Sequence, residues 1–564
     1  MRIRPQWTSR PAGLPPLGPK PHVSDCESAY NDRVKKCLAP LGLCLAFALS
    51  AAAAPDAVFD GARIFGGGVA APVSGGNRRT SPVLRRAAVS AKAAPASPTQ
   101  APAEAAHRLT SGFLGLYPEA DFDLGTGRCA SCNAPEQGKW YFEDDVIATP
   151  KTGPAGLVWI GSREMAEGVT ISADGASATL KDGTVVPLLL VAKIDSNRSY
   201  YDASSLAYLR GRTVRIRGEF VENDGTQTLV ARTIWPEDYR IDASSLKEAD
   251  AKNAADIDAL VAEDKGGAQK PFETKLLWER PGAERAWEGR PVMGFMLNGA
   301  QDDDDEALAG HSSLFTGRYG PGGSMADWMF DNFYDMNSVS EKGIVASMVP
   351  MDKYMTDLNS GQSWYRPSYM LVMVMKDARV PLRLQETFRE QYAKYYAQEL
   401  KYDKTHKNCT ALISDPVRGE GWKFPQTGAT PSLIARLISK AVGLAAHDPA
   451  VGEQMYQSLR EEPTRSFPRA SFNSAGGDLL SMAGASGADA AGREYSPLEK
   501  MIQEDLLAIL FVRMPQIPSS RKFGRDPAGS VTDYFRRAPA DRSKWETVPT
   551  LPRPFPPPHR PQQP

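Results

Sequence analysis

The chain has 564 residues, with 66 lysines and arginines against 67 aspartates and glutamates, and a formal net charge of −1. This length allows two or three domains with buried cores. A charge so close to zero argues against a general nucleic-acid-binding protein, because that class is usually strongly basic.

Residues 1–54 predict an export signal on an over-extended start. A basic segment precedes an apolar stretch from Cys37 to Leu49 and a run of alanines, which is the three-part pattern of a cleavable secretory signal. A short membrane anchor is the alternative, although the stretch is short for a bilayer span. A true start at Val34 would explain the proline-rich residues upstream. We therefore expect an exported protein of the periplasm or cell envelope, with no stable transmembrane segment after cleavage.

Composition divides the rest of the chain into ordered and disordered parts. Residues 55–106 are rich in small residues and proline, which predicts a disordered linker. The proline-rich tail 539–564 is also predicted to be disordered. Between them we expect four segments: an OB-like β domain at 107–242, a helical connector at 243–271, a mixed α and β domain at 272–420, and a helical extension at 421–538.

The β domain is predicted from short alternating strands. Val214, Ile216 and Phe220 alternate with polar residues before a turn at Asp224-Gly225, which indicates a β-hairpin. Several such strands predict a small barrel, and the stretch from Leu209 to Val221 resembles strands of OB-fold-like domains in exported bacterial proteins. OB barrels often bind nucleic acids or sugars, but few aromatic residues and little basic excess favour a structural or protein-docking role here.

The following domain is predicted to be α+β. Helix starts are expected at Pro381, Pro431 and Ser496. The sequence also predicts strands at 291–301, 311–320 and 342–351, a loop at 471–495 rich in glycine, alanine and serine, and a buried helix from Leu506 to Val512.

We predict no cofactor and no metal site, although two further motifs contain residues that can bind metals. Cys129 and Cys132 form a C-x-x-C pair, for which a disulfide-pinned turn is favoured over half of a zinc site or a redox motif. The acidic run Asp302–Glu306 lacks the spaced ligands of a calcium loop and is predicted to be a solvated loop.

Cys409 is the candidate nucleophile. Asn408 is a good N-cap, so Cys409 is expected at a helix N-terminus, where backbone N–H groups favour the thiolate. An inert buried cysteine is the alternative. A nucleophilic thiol needs a base, and His311 follows Gly310 at the start of a predicted strand, where a side chain can face a cleft. His406 and His447 are the other histidines, the first as a local or orienting group and the second as a cation at a helix C-terminus.

The order of these motifs over about 290–418 resembles a known family. The matching elements are Gly310-His311 with Leu314, the run from Tyr365 to Leu371, Tyr402-Asp403, Asn408-Cys409 and Ser414-Asp415. Together they are similar to the circularly permuted papain-like (NlpC/P60-related) hydrolases, and more narrowly to the periplasmic thiol domain of bacterial lipoprotein intramolecular transacylases and their relatives.

The resemblance implies a permuted papain-like domain with Cys409 and His311 as catalytic residues. Two departures from the family are Thr410 directly after the cysteine and the lack of a downstream transmembrane segment. Asn332, Asn337 and Asn359 are the candidates for a third catalytic residue.

The function that the resemblance implies is an exported cysteine hydrolase or acyltransferase. Its substrate would be an amide or ester of the envelope: a peptidoglycan peptide, a lipoprotein or a lipid ester. The alternative is a non-catalytic envelope scaffold or binding protein with an inactive thiol-hydrolase fold.

Overall fold

The computed structural model describes two parts of the chain. The first consists of four short strands: β1 (Leu116–Pro118) pairs with β4 (Leu157–Trp159), and β2 (Phe122–Asp123) pairs with β3 (Arg128–Cys129). The second part comprises residues 164–190, 201–223, 225–262, 270–300, 309–333, 347–358, 361–396, 399–400, 402–403, 406–426, 428–446, 449–485, 493–519 and 524–529. The predicted signal, the linker and the proline-rich tail lie outside these residues.

A closed five-stranded barrel comes first in the second part. Its elements are β5 (Glu164–Ile171), β6 (Ser177–Thr179), β7 (Val185–Leu190), α1 (Ala203–Leu209), β8 (Val214–Asn223) and β9 (Thr226–Pro236). The strands close in the order β5-β6-β7-β9-β8, with β7 parallel to β9 and helix α1 between β7 and β8. The predicted hairpin is confirmed as β8 and β9, and the five-stranded closure is compatible with an OB-like barrel.

An eight-stranded sheet with helices forms the remainder. Its strands are β10 (Lys247–Glu248), β11 (Glu273–Glu279), β12 (Pro291–Asn298), β13 (His311–Arg318), β14 (Met329–Asn332), β15 (Ser347–Pro350), β16 (Ser368–Met375) and β17 (Leu506–Met514), in the spatial order β10-β11-β17-β16-β12-β13-β14-β15. The helices are α2 (Ala254–Val261), α3 (Met351–Thr356), α4 (Arg379–Tyr396), α5 (Cys409–Gly419), α6 (Ser432–Ala446), α7 (Pro449–Arg460), α8 (Pro463–Ser466), α9 (Pro468–Met482) and α10 (Pro497–Asp505). The class is therefore mixed α+β.

Both faces of this sheet are buried. The helix face packs Leu314 of β13 with Leu384 of α4 and Leu412 of α5 in one apolar cluster. The opposite face, called here the barrel face, packs Phe315 of β13 with Met351 of α3. Since neighbouring residues of a strand point to opposite faces, the two clusters assign a face to each position of β13.

Two predicted elements are wrong. Leu506 to Val512 belongs to the inner strand β17, not to a helix, because a fully buried strand carries a continuous apolar run that periodicity cannot distinguish from a buried helix. The segment 421–538, predicted to be a helical extension, therefore also contributes an inner strand to the sheet. Residues 471–482 of the predicted loop belong to helix α9. Gly476 and Gly477 allow α9 to pack tightly, since a Cβ at Gly477 would lie 2.5 Å from the Ala254 nitrogen.

The barrel and the sheet share packing and ion pairs. Trp364 and Tyr365, which precede β16, belong to the apolar cluster of the barrel. Arg217 of β8 donates to Asp352 of α3 over 2.6 Å, and Arg215 donates to Asp327. These contacts join the barrel to the segment before β16, to α3 and to the segment before β14. Within the part of the chain that the structure describes, no helix is long and apolar enough to cross a membrane.

Candidate functional site

Helix α5 begins at Cys409, as predicted, because Asn408 caps it. The Asn408 side-chain oxygen accepts the backbone N–H groups of Thr410 and Ala411 over 3.0 and 3.1 Å. Its side-chain nitrogen donates to the Ser466 carbonyl over 2.9 Å. An N-cap oxygen normally accepts one or two such N–H groups. The additional bond from the side-chain nitrogen to Ser466 anchors the cap to α8. The position of Cys409 is therefore fixed from two sides.

The Cys409 thiol lies against the first residues of β13. The Ser312 backbone N–H donates toward the sulfur, so the peptide that joins His311 to Ser312 contacts the thiol. Thr410 and Ser312 meet through their hydroxyl oxygens, 3.3 Å apart, and bring α5 and β13 together. The Cys409 backbone N–H donates to the Tyr402 hydroxyl over 3.1 Å. The upstream tyrosine of the motif thus lies beside the cysteine.

Burial dominates the ionisation of this thiol. Cys409 is 6% exposed, and removal from water raises its pKa above the ordinary thiol value. The Ser312 N–H, the Thr410 and Tyr402 hydroxyls and the charge of Arg366 act in the opposite direction and lower the pKa, but by less. The helix N-terminus had predicted a thiolate; with a raised pKa the resting group is a neutral thiol at pH 7.

His311 is the first residue of β13, directly after Gly310. Gly310 has φ +86°, and a Cβ there would lie 2.5 Å from the Asn298 carbonyl oxygen, so glycine is needed to turn the chain into the strand. His311 is 4% exposed and pairs in register with Asn298 of β12. The predicted strand start is confirmed.

His311 and Cys409 approach the same peptide from different sides. Ser312 points to the helix face, where it contacts Thr410, so alternation places the start of the His311 side chain on the barrel face. Ser313, two residues after His311, also points to the barrel face, and its hydroxyl contacts the Tyr354 hydroxyl over 3.3 Å. The Cys409 sulfur thus contacts the His311–Ser312 peptide from the helix face, whereas the His311 side chain starts from the barrel face at the same end of β13.

The first N–H groups of α5 are already engaged. Those of Thr410 and Ala411 are held by the Asn408 cap, whereas that of Cys409 donates to the Tyr402 hydroxyl. A side-chain hydroxyl can move aside more easily than an anchored cap. An oxyanion formed at the cysteine would thus find its donors in the Cys409 N–H and the Tyr402 O–H rather than in later groups of the helix.

The other candidate residues are dispersed. His406 is half exposed, and its Nδ1 lies 2.8 Å from Glu461, at the surface. Asp415 pairs with Arg465 over 2.7 Å. Asn332 is buried at the end of β14, the strand beside β13, and its backbone N–H donates to the Tyr392 hydroxyl over 2.7 Å. Several predictions lie outside the described residues or side chains: His447, Asn337, Asn359, Asp302–Glu306 and the Cys129–Cys132 pair.

Sequence reasoning missed one charged residue at this end of the sheet. Arg366 is buried just before β16, and its charge acts on the Cys409 thiol. The only sequence signal was its place inside the run from Tyr365 to Leu371. A single arginine before a proline looks like a surface residue, so its burial could not be read from the pattern.

Comparison of the chain with protein-family models, with curated proteins and with solved structures finds no match.

Proposed function

We propose that the protein is an exported cysteine-nucleophile hydrolase or acyltransferase acting on amide or ester bonds in the cell envelope. Cys409 would be the nucleophile and His311 the base, in a permuted papain-like arrangement. The observation that carries the proposal is the position of the Cys409 sulfur, at the capped start of α5 and against the peptide that links His311 to Ser312. Covalent acyl transfer needs a nucleophile with a base nearby, and His311 is the histidine whose peptide the sulfur contacts.

The chemistry begins from a neutral thiol. Because burial raises the pKa of Cys409, its proton must move to the His311 imidazole as the sulfur attacks the substrate carbonyl. A C–S bond forms, and the carbonyl oxygen becomes an oxyanion that the Cys409 N–H and the Tyr402 hydroxyl can stabilise. Collapse breaks the bond to the amine or alcohol, which leaves with the proton from His311. Water or an acceptor amine then releases the acyl group from the thioester.

Asn332 is the candidate that best suits a positioning role for His311. It lies on the adjacent strand β14, and alternation from Asp331, which pairs with Leu314, places it on the same barrel face as His311. A side-chain amide on that face can orient an imidazole. The envelope as the place of action is supported by the secretory-signal pattern in residues 1–54.

A non-catalytic scaffold is the second candidate function. The observation that favours it is the burial of Cys409 together with its raised pKa, because buried cysteines with neutral thiols are often inert. In that case the barrel would supply the docking surface, and the thiol would be part of the core.

Alkylation of Cys409 by iodoacetamide in the folded chain separates the two functions. We expect labelling at pH 7 to fall at least about a hundredfold in His311→Ala, since general-base catalysis contributes that much or more. The difference should vanish at pH values above the raised thiol pKa, where hydroxide ionises the thiol without help. Mass spectrometry of the labelled peptide measures both rates.

His406→Ala is the matched control, because His406 lies near Cys409 in the sequence but pairs with Glu461 at the surface. Its labelling rate should equal that of the unmodified sequence. Equal pH profiles for the His311 variant and the unmodified chain would refute the Cys-His pair. Labelling only after denaturation would support the scaffold.

A further inference from the structure

Arg366 is a buried cation held by neutral groups. It is 3% exposed, and its Nε and Nη2 donate to the Gln362 side-chain oxygen over 2.9 and 2.7 Å. Its Nη1 donates to the Gly299 carbonyl over 3.3 Å. Three of the five N–H groups of a guanidinium are thus directed at protein oxygens, and none of these oxygens is charged. Two N–H groups remain for another acceptor.

The other buried arginines that the structure describes are neutralised by carboxylates. Their partners are Asp327 and Asp352 for Arg215, Asp352 for Arg217, Asp258 and Asp526 for Arg469, and Glu273 for Arg513. Within the same described part of the chain Arg366 has no carboxylate partner. Burying a charge without a counter-charge is strongly unfavourable, so an uncompensated guanidinium indicates that an anion completes the site.

The position of Arg366 links it to the thiol. The Gly299 carbonyl that it binds directly follows Asn298, the residue that pairs with His311. The Gly299 N–H also donates to the Pro367 carbonyl over 2.7 Å, which holds the start of β16 against the end of β12. The guanidinium therefore lies at the end of the sheet where β13 meets Cys409. The lowering effect of its charge on the Cys409 pKa is consistent with this proximity.

We infer that Arg366 is the binding group for a carboxylate on the acyl part of the substrate, next to the carbonyl that Cys409 attacks. The planar guanidinium donates in a fork that matches a carboxylate, and it is always charged. The inference rests on the proposed function and narrows its substrate to acyl groups that carry a carboxylate. Uncharged acyl chains, including those of lipid esters, would leave the cation without a counter-charge and would be poor substrates.

Two alkylating reagents test this without a known substrate. Iodoacetate and iodoacetamide differ only in a carboxylate that replaces a carboxamide, and with either one the Cys409 sulfur forms a C–S bond while iodide leaves. The measured quantity is the rate with iodoacetate divided by the rate with iodoacetamide, in the folded full chain, relative to the same ratio for glutathione. This ratio cancels changes in the reactivity of the thiol itself.

We expect the relative ratio to exceed about ten, which a single charge-assisted contact can supply. Arg366→Gln should bring it close to one, and Arg366→Lys, which keeps the charge, should retain part of the preference. Arg383→Gln is the matched control, because Arg383 is half exposed on α4 and pairs with Glu420, and its ratio should not change.

The possible outcomes distinguish failure of the carboxylate site from failure of the proposed function. Labelling by iodoacetamide with a relative ratio near one in the unmodified chain overturns the carboxylate site and leaves the proposed function standing. Failure of both reagents to label the folded protein overturns both. If Arg366→Gln does not fold, as judged by circular dichroism, the ratios of the unmodified chain and of Arg366→Lys decide the matter.

Discussion

The amide of Asn408 determines where the thiol sits. It accepts two backbone N–H groups at the start of α5 and donates to the Ser466 carbonyl, so one side chain ties the cysteine helix to α8. Ser or Asp at this position could accept the same N–H groups, but neither could donate to Ser466 in the same geometry as an amide nitrogen. The residue before the cysteine thus has two structural roles.

Replacing Asn408 by alanine tests these roles. We expect Asn408→Ala to lower the free energy of unfolding by about 1–2 kcal/mol, the cost of losing a good N-cap. Iodoacetamide labelling of Cys409 should change as well, because the start of α5 is released. Asp202→Ala removes the equivalent cap of α1 and should cost a similar amount without altering the labelling. Urea unfolding and mass spectrometry measure the two quantities; an unchanged labelling rate in Asn408→Ala would contradict the positioning role.

At this scale the sequence predicted what is local. The Asn408 cap and the helix start at Cys409 depend on adjacent residues and were read correctly. The raised pKa of the thiol depends on its burial, which distant segments of the chain create: Ser312, whose hydroxyl contacts that of Thr410, precedes Thr410 by 98 residues. Pairing between such distant residues leaves no trace in local composition, so the protonation state could not be predicted.

The strand β8 shows how one element serves two units. Val214 and Ile216 point into the barrel, whereas Arg215 and Arg217 alternate with them and point toward the sheet. Period-two alternation predicted the strand and its apolar face. The opposite face carries Arg215 and Arg217, which are buried because Asp352 of α3 neutralises their charges, and alternation alone does not predict this burial. The inner strand β17 was missed for the related reason that both of its faces are buried.

The junction between β8 of the barrel and the sheet is expected to be sensitive to acid because Asp327 pairs there with Arg215 and Arg217. Burial tends to raise the pKa of its carboxyl, but hydrogen bonds from Arg215 and the charges of Arg215 and Arg217 lower it below the ordinary value in the folded protein. A folded-state pKa below the unfolded one contributes stability at pH values above about 3.9, and this stability is lost as the pH falls through the lowered value.

Asp327→Asn should therefore lower the melting temperature at pH 7, and the difference from the unmodified chain should shrink as the pH falls below about 4. Asp250→Asn is the control, since Asp250 is exposed and pairs only with Lys252 among the ion pairs of the described residues. Differential scanning calorimetry at several pH values makes the comparison. A difference that is constant with pH would show that Asp327 does not stabilise the junction as a charge.

The barrel and the sheet share part of one apolar core. The apolar cluster of the barrel includes Leu358, Trp364, Tyr365 and Ile517, which the sheet portion supplies. Backbone bonds reinforce the junction: the Leu358 N–H donates to the Arg232 carbonyl over 2.9 Å. A core built from both parts cannot be opened on one side alone.

We expect the barrel and the sheet to unfold together. Under increasing denaturant, the slowest-exchanging amides of β9 and β16 should show the same opening free energy by hydrogen-exchange mass spectrometry. Trp364→Ala should lower both by about 3–5 kcal/mol, the usual cost of removing a buried large aromatic side chain. Exchange of β9 at lower denaturant than β16 would contradict a shared core.

Trp364 and Tyr365 also bear on how such a chain can change in evolution. They belong to the apolar cluster of the barrel, and the next residue is Arg366 at the candidate site. A recombination that removed the barrel would expose two large aromatic side chains to water directly beside the guanidinium. A barrel transferred to another protein would lack part of its apolar core. Neither half can be inherited as an interchangeable module, so the barrel and the thiol site are expected to diverge as a single unit.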